Sequence, residues 1–141
     1  MHKAIFMAMA TAFAAIPSVS SAAGLVANIE LSKQTMTVTR QGRVIYKWRV
    51  STARRGYVTP RGVWRPIRMT PMWYSRKYDM TPMPYSVFFR GGYAIHGTNA
   101  VRHLGHAVSH GCVRLSTPNA ARFYALVQEA GPQNTRIVVS N

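Results

Sequence analysis

Cysteine and acidic side chains are what this sequence has least of. Its 141 residues hold one cysteine, Cys112, and only three acids, Glu30, Asp79 and Glu129, against 18 lysines and arginines. A lone cysteine closes no internal disulfide, so it is either a small buried hydrophobe or a reactive thiol. The shortage of carboxylates removes the partners that commonly orient metal-bound histidines. Long apolar runs are missing too: Ala4 to Ile16 falls short of the roughly 18 residues a membrane-spanning helix needs. No repeat, low-complexity tract or linker divides the chain after residue 23.

Residues 1–23 carry the three parts of a secretory signal. Lys3 gives a basic start, Ala4 to Ile16 an apolar stretch, and Ser20-Ser21-Ala22-Ala23 the small residues of a cleavage site. The expectation is an exported protein of the periplasm or cell wall that does not span the membrane. Residues 24–141, nearly 120 in number, suffice for one compact domain, expected as a monomer. That domain has 17 basic against three acidic residues, a formal charge of +14. Such a field draws in polyanions. Nucleic acid is not expected as the partner of an exported protein; anionic envelope polymers and acidic stem peptides are. The plainer alternative is a solvated basic face that aids solubility.

Hydrophobic alternation dominates the first half. Leu25 to Leu31, Thr35 to Thr39 and Val44 to Val50 repeat at period two, and Gln41-Gly42 between the last two is a hairpin turn. Ser51 to Arg61 reads as a loop leading to a short strand at Val63-Trp64. Met69 to Tyr85 contains Pro71, Pro82 and Pro84, which forbid a helix; its four methionines and four aromatics suit a loop over the core or a flap beside a groove. Ser86 to Phe89 and Tyr93 to Ile95 are two further strands around Gly91-Gly92. The one clear helix has Thr117 as N-cap, Pro118 at its first position and an apolar stripe of Ala120, Phe123, Tyr124 and Val127. Gly131-Pro132 stops it before a final strand, Arg136 to Val139. The sum is a mostly β domain, sandwich or barrel-like with mixed sheets, and one helix in its carboxyl-terminal half.

The chemistry gathers around the thiol. Cys112 lies in Ser109-His110-Gly111-Cys112-Val113-Arg114-Leu115, and a second His-Gly pair stands upstream at His96-Gly97. A thiol attacks only as thiolate, which a nearby imidazole and cationic surroundings favour. His96 follows an apolar strand that fixes its place. His110, two residues before Cys112, shares its face if that stretch is extended. Gly111 permits a tight turn, and the N–H groups of Gly111 and Cys112 are candidate oxyanion donors. Arg114 suits a carboxylate, and Ser109 either bonds a histidine or caps the turn. A metal site is the competing chemistry, since His96, His103, His106, His110 and Cys112 fall within 17 residues. Their spacing matches no zinc pattern, so neither metal nor cofactor is expected, and His103 and His106 read as loop residues.

At these residues the chain resembles the L,D-transpeptidase (YkuD-type) catalytic domain. The resemblance rests on Ser109 to Leu115, on His96-Gly97-Thr98-Asn99, and on the twelve residues between His96 and Ser109. It extends to Val50-Ser51-Thr52, Thr59-Pro60-Arg61-Gly62-Val63-Trp64, Met83-Pro84-Tyr85 and Gly91-Gly92-Tyr93-Ala94-Ile95, and so to nearly the whole of residues 24–141. It implies that Cys112 is the acyl-accepting nucleophile and His96 the general base and acid, oriented by the Gly97 carbonyl. It further implies that His110, Gly111 and Cys112 shape the oxyanion site while Arg114 holds the donor peptide. Some family members carry Asn at the place of Arg114, and the wall-binding accessory domain of many relatives is not in this chain.

The implied activity is acyl transfer on peptidoglycan stem peptides. The third-residue L-centre carbonyl is attacked, D-alanine leaves, and an amine from another stem, an envelope protein or a D-amino acid takes the acyl group; carbapenems are expected to block it. An L,D-carboxypeptidase with water as acceptor is the alternative within enzymes. A non-catalytic basic envelope-binding module is the alternative outside them.

Overall fold

A computed structural model describes residues 24–141; the expected signal segment, 1–23, lies outside the described residues. Among the described residues, nine strands form two mixed sheets, and one α-helix packs with them. The first sheet is built from β1 (Leu25–Glu30), β2 (Thr35–Arg40), β3 (Arg43–Arg49), β4 (Gly62–Trp64) and β9 (Thr135–Ser140), in the order β3-β2-β1-β9-β4. Its apolar alternation places Leu25, Ala27, Ile29, Met36, Val38, Ile137 and Val139 inward, each at most 2% exposed. Gln41 and Gly42, with φ of 50° and 79°, form the tight β2–β3 turn whose twist matches a hairpin. The last strand, β9, runs parallel to β1 on one side and antiparallel to β4 on the other.

The second sheet orders β5 (Arg68–Ser75), β6 (Thr81–Arg90), β7 (Tyr93–Thr98) and β8 (Val113–Ser116) as β5-β6-β7-β8, with the β7–β8 pair parallel. One face of this sheet, carrying Val87, Phe89, Ile95, Val113 and Leu115, joins the first sheet and the helix in the main core. The opposite face carries a small separate cluster, Met83, Phe88 and Ala94, with Cys112 packed against it.

The segment from Met69 to Tyr85, expected as a loop or flap, is instead most of the β5–β6 hairpin. Its prolines are tolerated because β5 is an edge strand, and because Pro82 and Pro84 lie where β6 pairs with β5 alone. Tyr85, with φ of 53°, faces Pro71 across the hairpin and reverses the alternation there. Beyond that kink Trp73 and Met83 turn to the small cluster, and Met72 and Tyr74 turn to solvent.

The α-helix, α1 (Thr117–Ala130), follows β8 without a loop. Its N-cap is Ser116 rather than Thr117: the Ser116 hydroxyl accepts the Asn119 N–H at 3.3 Å, so Pro118 falls one place further in. Gly131, with φ of 88°, ends it. Ala120, Phe123, Tyr124 and Val127 form its buried stripe. Replacing the fully buried Phe123 by Ala is expected to lower unfolding stability by about 3–5 kcal/mol, measurable by urea denaturation; a loss under 1 kcal/mol would show that this stripe does not anchor the helix.

Candidate active site

The parallel pairing of β7 and β8 assembles the site. Ile95 pairs with Val113 and His96 with Arg114, so paired residues share a face. Ile95 and Val113 point into the core; His96, Arg114 and, one step outward, Cys112 point to the other side. Cys112, one residue before β8, therefore lies diagonally across from His96 on the same face of the sheet. Both line one open cavity of about 700 Å³, as do Arg114 and His110.

His96 is 4% exposed and sits inside β7. Its Nδ1 lies 2.7 Å from the Gly97 carbonyl oxygen. A carbonyl only accepts, so Nδ1 carries the proton and Nε2 keeps its lone pair. Burial pushes the His96 pKa down to about 4 despite the Gly97 hydrogen bond, and the Arg114 cation adds to the fall. Gly97 has no room for a side chain: a Cβ there would stand 3.0 Å from Thr117 Cα and 3.1 Å from Pro84 Cγ.

Cys112 is half-buried, its Sγ 3.8 Å from the Gly92 carbonyl. Burial raises the thiol pKa; a hydrogen bond from the Ala94 backbone and the charge on Arg114 pull the other way without prevailing. The cationic surroundings expected to favour a thiolate are thus outweighed by desolvation, and the free protein holds a neutral thiol beside a neutral imidazole.

The turn before the cysteine is held by three hydrogen bonds. The fully buried Ser109 accepts the Gly111 N–H at 3.0 Å and donates to the Cys112 carbonyl at 2.6 Å, which makes it a turn cap rather than a histidine partner. Thr59 donates to the Gly111 carbonyl at 2.8 Å. Gly111 has φ of 136°, and a Cβ on it would meet the Tyr93 ring at 2.5 Å. Its N–H, expected as an oxyanion donor, is committed to Ser109; its contribution is conformational.

His110 does not extend alongside Cys112, because the turn at Gly111 redirects the chain. Its ring stacks on Tyr78 at 4.1 Å and 15°, with Tyr57 at 4.8 Å, at the cavity rim. Burial and the charges of Arg54, Arg114 and Lys77 lower its pKa. His103 and His106 lie away from the cavity lining. Among the described residues no three His, Cys, Asp or Glu side chains form a group able to hold a metal ion.

Sequence reasoning missed Tyr57 and Arg68 and gave Thr59 no role in the turn; Trp73 and Tyr78 it took only as aromatics of a segment suited to border a groove, and both line the cavity. Thr59 comes from the irregular segment after β3; Arg68, Trp73 and Tyr78 come from the unrecognised hairpin, whose kink at Tyr85 defeats a period-two reading. The cavity lining includes the cations Arg68, Arg76, Lys77 and Arg114 and no acidic side chain.

This is a two-sheet β domain with a Cys–His cleft on the outer face of its second sheet. Residues 25–139 match the family described as YkuD, L,D-transpeptidase catalytic domain, and the chain belongs to that family. Solved structures agree. An L,D-transpeptidase from Mycobacterium smegmatis superposes with a TM-score of 0.75 at 24% identity, over 84% of this chain and 59% of that one. One from Xylanimonas cellulosilytica gives 0.67 at 30% identity, over 83% and 60%. An L,D-transpeptidase in complex with imipenem gives 0.73 at 25% identity, over 82% and 58%. The chain spans less than two thirds of the length of each. Comparison with curated proteins gives no match.

Two outcomes test the protonation states. His96 titrates near 4 when folded and near 6.5 when unfolded, so the unfolded chain binds the extra proton between those values and stability falls as pH drops through that window. The expected loss is about 3 kcal/mol between pH 7 and pH 4, read by urea denaturation and absent in His96→Gln; equal pH dependence in both proteins would refute the burial of a neutral imidazole. Alkylation of Cys112 by iodoacetamide should be slow at pH 7 and accelerate only in alkaline solution. A thiolate titrating below the range of a free cysteine would contradict this.

Proposed function

We propose that the protein is an exported peptidoglycan L,D-transpeptidase in which Cys112 is the nucleophile and His96 the general base and acid. One observation carries the reading: a neutral imidazole with its Nδ1 proton committed to Gly97 and a thiol share one sheet face and line one cavity, together with several cations. Residues 1–23 act as a cleaved signal, and residues 24–141 form the catalytic domain, a monomer working in the periplasm or cell wall.

The reaction begins when the third-residue L-centre carbonyl of a tetrapeptide stem enters the cavity beside Cys112. Nε2 of His96 removes the thiol proton as Sγ forms its bond to the carbonyl carbon, so no resting ion pair is required. The oxyanion faces the backbone N–H of Cys112, at the turn set by Gly111, Ser109 and Thr59. As the intermediate collapses, the bond to the terminal D-alanine nitrogen breaks, and the His96 imidazolium returns the proton to that leaving amine. A thioester remains. An acceptor amine then attacks it, gives up a proton through His96, and restores the thiol. Arg114, beside the reacting pair, holds the donor peptide, and His110 shapes the cavity rim through its stack on Tyr78 and Tyr57. No metal or cofactor takes part.

Incubation of the purified protein with a disaccharide-tetrapeptide, followed by intact mass measurement, tests this. The expected result is an acyl increment on the Cys112 peptide with release of D-alanine, none in Cys112→Ala, and a rate reduced about 10²–10⁴-fold in His96→Gln. A carbapenem should leave its own increment on the same peptide. Undiminished product in Cys112→Ala would refute the nucleophile. Trimmed monomers in place of new linkages would make the protein an L,D-carboxypeptidase; wall binding without turnover, unaffected by Cys112→Ser, would make it a binding module.

A further inference from the structure

We infer that Arg68 is a specificity-determining residue that selects donor peptides bearing a free carboxylate over their carboxamide counterparts. The inference rests on the transpeptidase reading above and concerns the donor's chemistry rather than the reaction.

Arg68 pairs with Phe88 across β5 and β6, and Phe88 pairs with Ala94 across β6 and β7. Cys112 lies opposite Ala94, one step beyond the Ile95–Val113 pair. These four residues thus form one row across the sheet, ending at the thiol. Arg68 is an exposed residue, but its guanidinium lies against two rings of the sheet face. It lies 4.1 Å from the Phe88 ring centroid and 4.7 Å from that of Trp73, while Trp73 stands edge-on to Phe88 at 5.8 Å and 84°. Two rings therefore hold a planar cation over Phe88. Phe88 is two strand spacings from Cys112, about 10 Å.

Stacking on an aromatic face leaves the in-plane N–H donors of a guanidinium free for a ligand. No described residue takes them as an ion pair: the single salt bridge among the described residues joins Lys33 to Glu30. Asp79, next to Tyr78 at the hairpin tip, is not part of the cavity lining. The other lining cations, Arg76, Lys77 and Arg114, repel Arg68, and an anionic ligand relieves that repulsion.

Position separates Arg68 from these three. Arg114 sits beside the reacting atoms, and Arg76 and Lys77 ride on the hairpin tip. Arg68 alone of the four lies against two rings, in the row that ends at Cys112, while Lys77 lies over the single ring of Tyr78 at 5.5 Å; Arg68 is thus placed for a carboxylate on a side chain that reaches along the sheet away from the attacked carbonyl. A carboxylate offers two acceptor oxygens to the fork of donors. A carboxamide offers one acceptor and turns an N–H₂ group toward N–H groups, so it forfeits both charge and fit.

Two synthetic tetrapeptide stems, alike except that the third-residue side chain ends in a carboxylate or a carboxamide, provide the test. The readout is kcat/KM for thioester formation on Cys112. The wild-type protein should prefer the carboxylate about 10–100-fold. Arg68→Met should bring the two donors close to parity, chiefly by slowing the carboxylate donor, and Arg68→Lys should recover part of the preference. A structural role would depress both donors equally and leave their ratio untouched, so an unchanged ratio in Arg68→Met overturns the inference. Equal acylation of the wild-type protein by both donors overturns it as well and leaves the transpeptidase reading standing. Acylation by neither would sink that reading and this one together.

Discussion

Everything chemical in this domain depends on the parallel pairing of two short strands. β7 and β8 come together in one register, with Ile95 against Val113 and His96 against Arg114. Because side chains alternate across a sheet, that register does two things at once. It buries Ile95 and Val113 in the main core, and it turns His96, Arg114 and Cys112 out onto the opposite face. A slip of one residue would exchange the sets, exposing apolar groups and burying the imidazole among them. Core energetics therefore enforce the placement of the reactive groups. Gly97 tightens the arrangement, since only a residue without Cβ lets the start of α1 and Pro84 approach β7 so closely.

The same burial that positions the pair governs its charge state. A surface thiol next to an arginine would ionise readily, but here the loss of water outweighs the cation for Cys112, and His96 is too poorly solvated to hold a proton near neutrality. The site rests with both partners neutral, the thiol protonated and the imidazole carrying its one proton on Nδ1. Such a thiol resists adventitious alkylation and oxidation, which follow thiolate character.

Much of this was legible in the chain. Strict alternation in β1 and β2, with every second residue apolar, identified both strands and their buried faces. The stripe of Ala120, Phe123, Tyr124 and Val127 identified α1, although its cap lay one residue earlier because the Ser116 hydroxyl reaches the Asn119 N–H. The motif around Cys112 and its separation from His96 pointed to the family. Tertiary pairing hid the rest. Prolines argued against regular structure in the β5–β6 hairpin, yet one-sided pairing makes their missing donors harmless. The kink at Tyr85 then inverted the facing of Trp73, so the aromatic and cationic wall of the cleft could not be read from periodicity. The direction of His110 was hidden for a related reason: Gly111, at φ of 136°, breaks the extended geometry that would have set it beside the thiol. Burial, unlike composition, is invisible in a sequence this basic, and it decided the protonation states.

The place of β9 in the first sheet has a consequence for how the chain folds. β4 joins that sheet only through β9, and β9 also flanks β1. β9 follows the other eight described strands in chain order: without Thr135–Ser140 the edge of β1 is unpaired and Gly62–Trp64 has no sheet to join. The first sheet therefore closes through a contact between strands far apart in the sequence, which makes its completion a long-range event in folding.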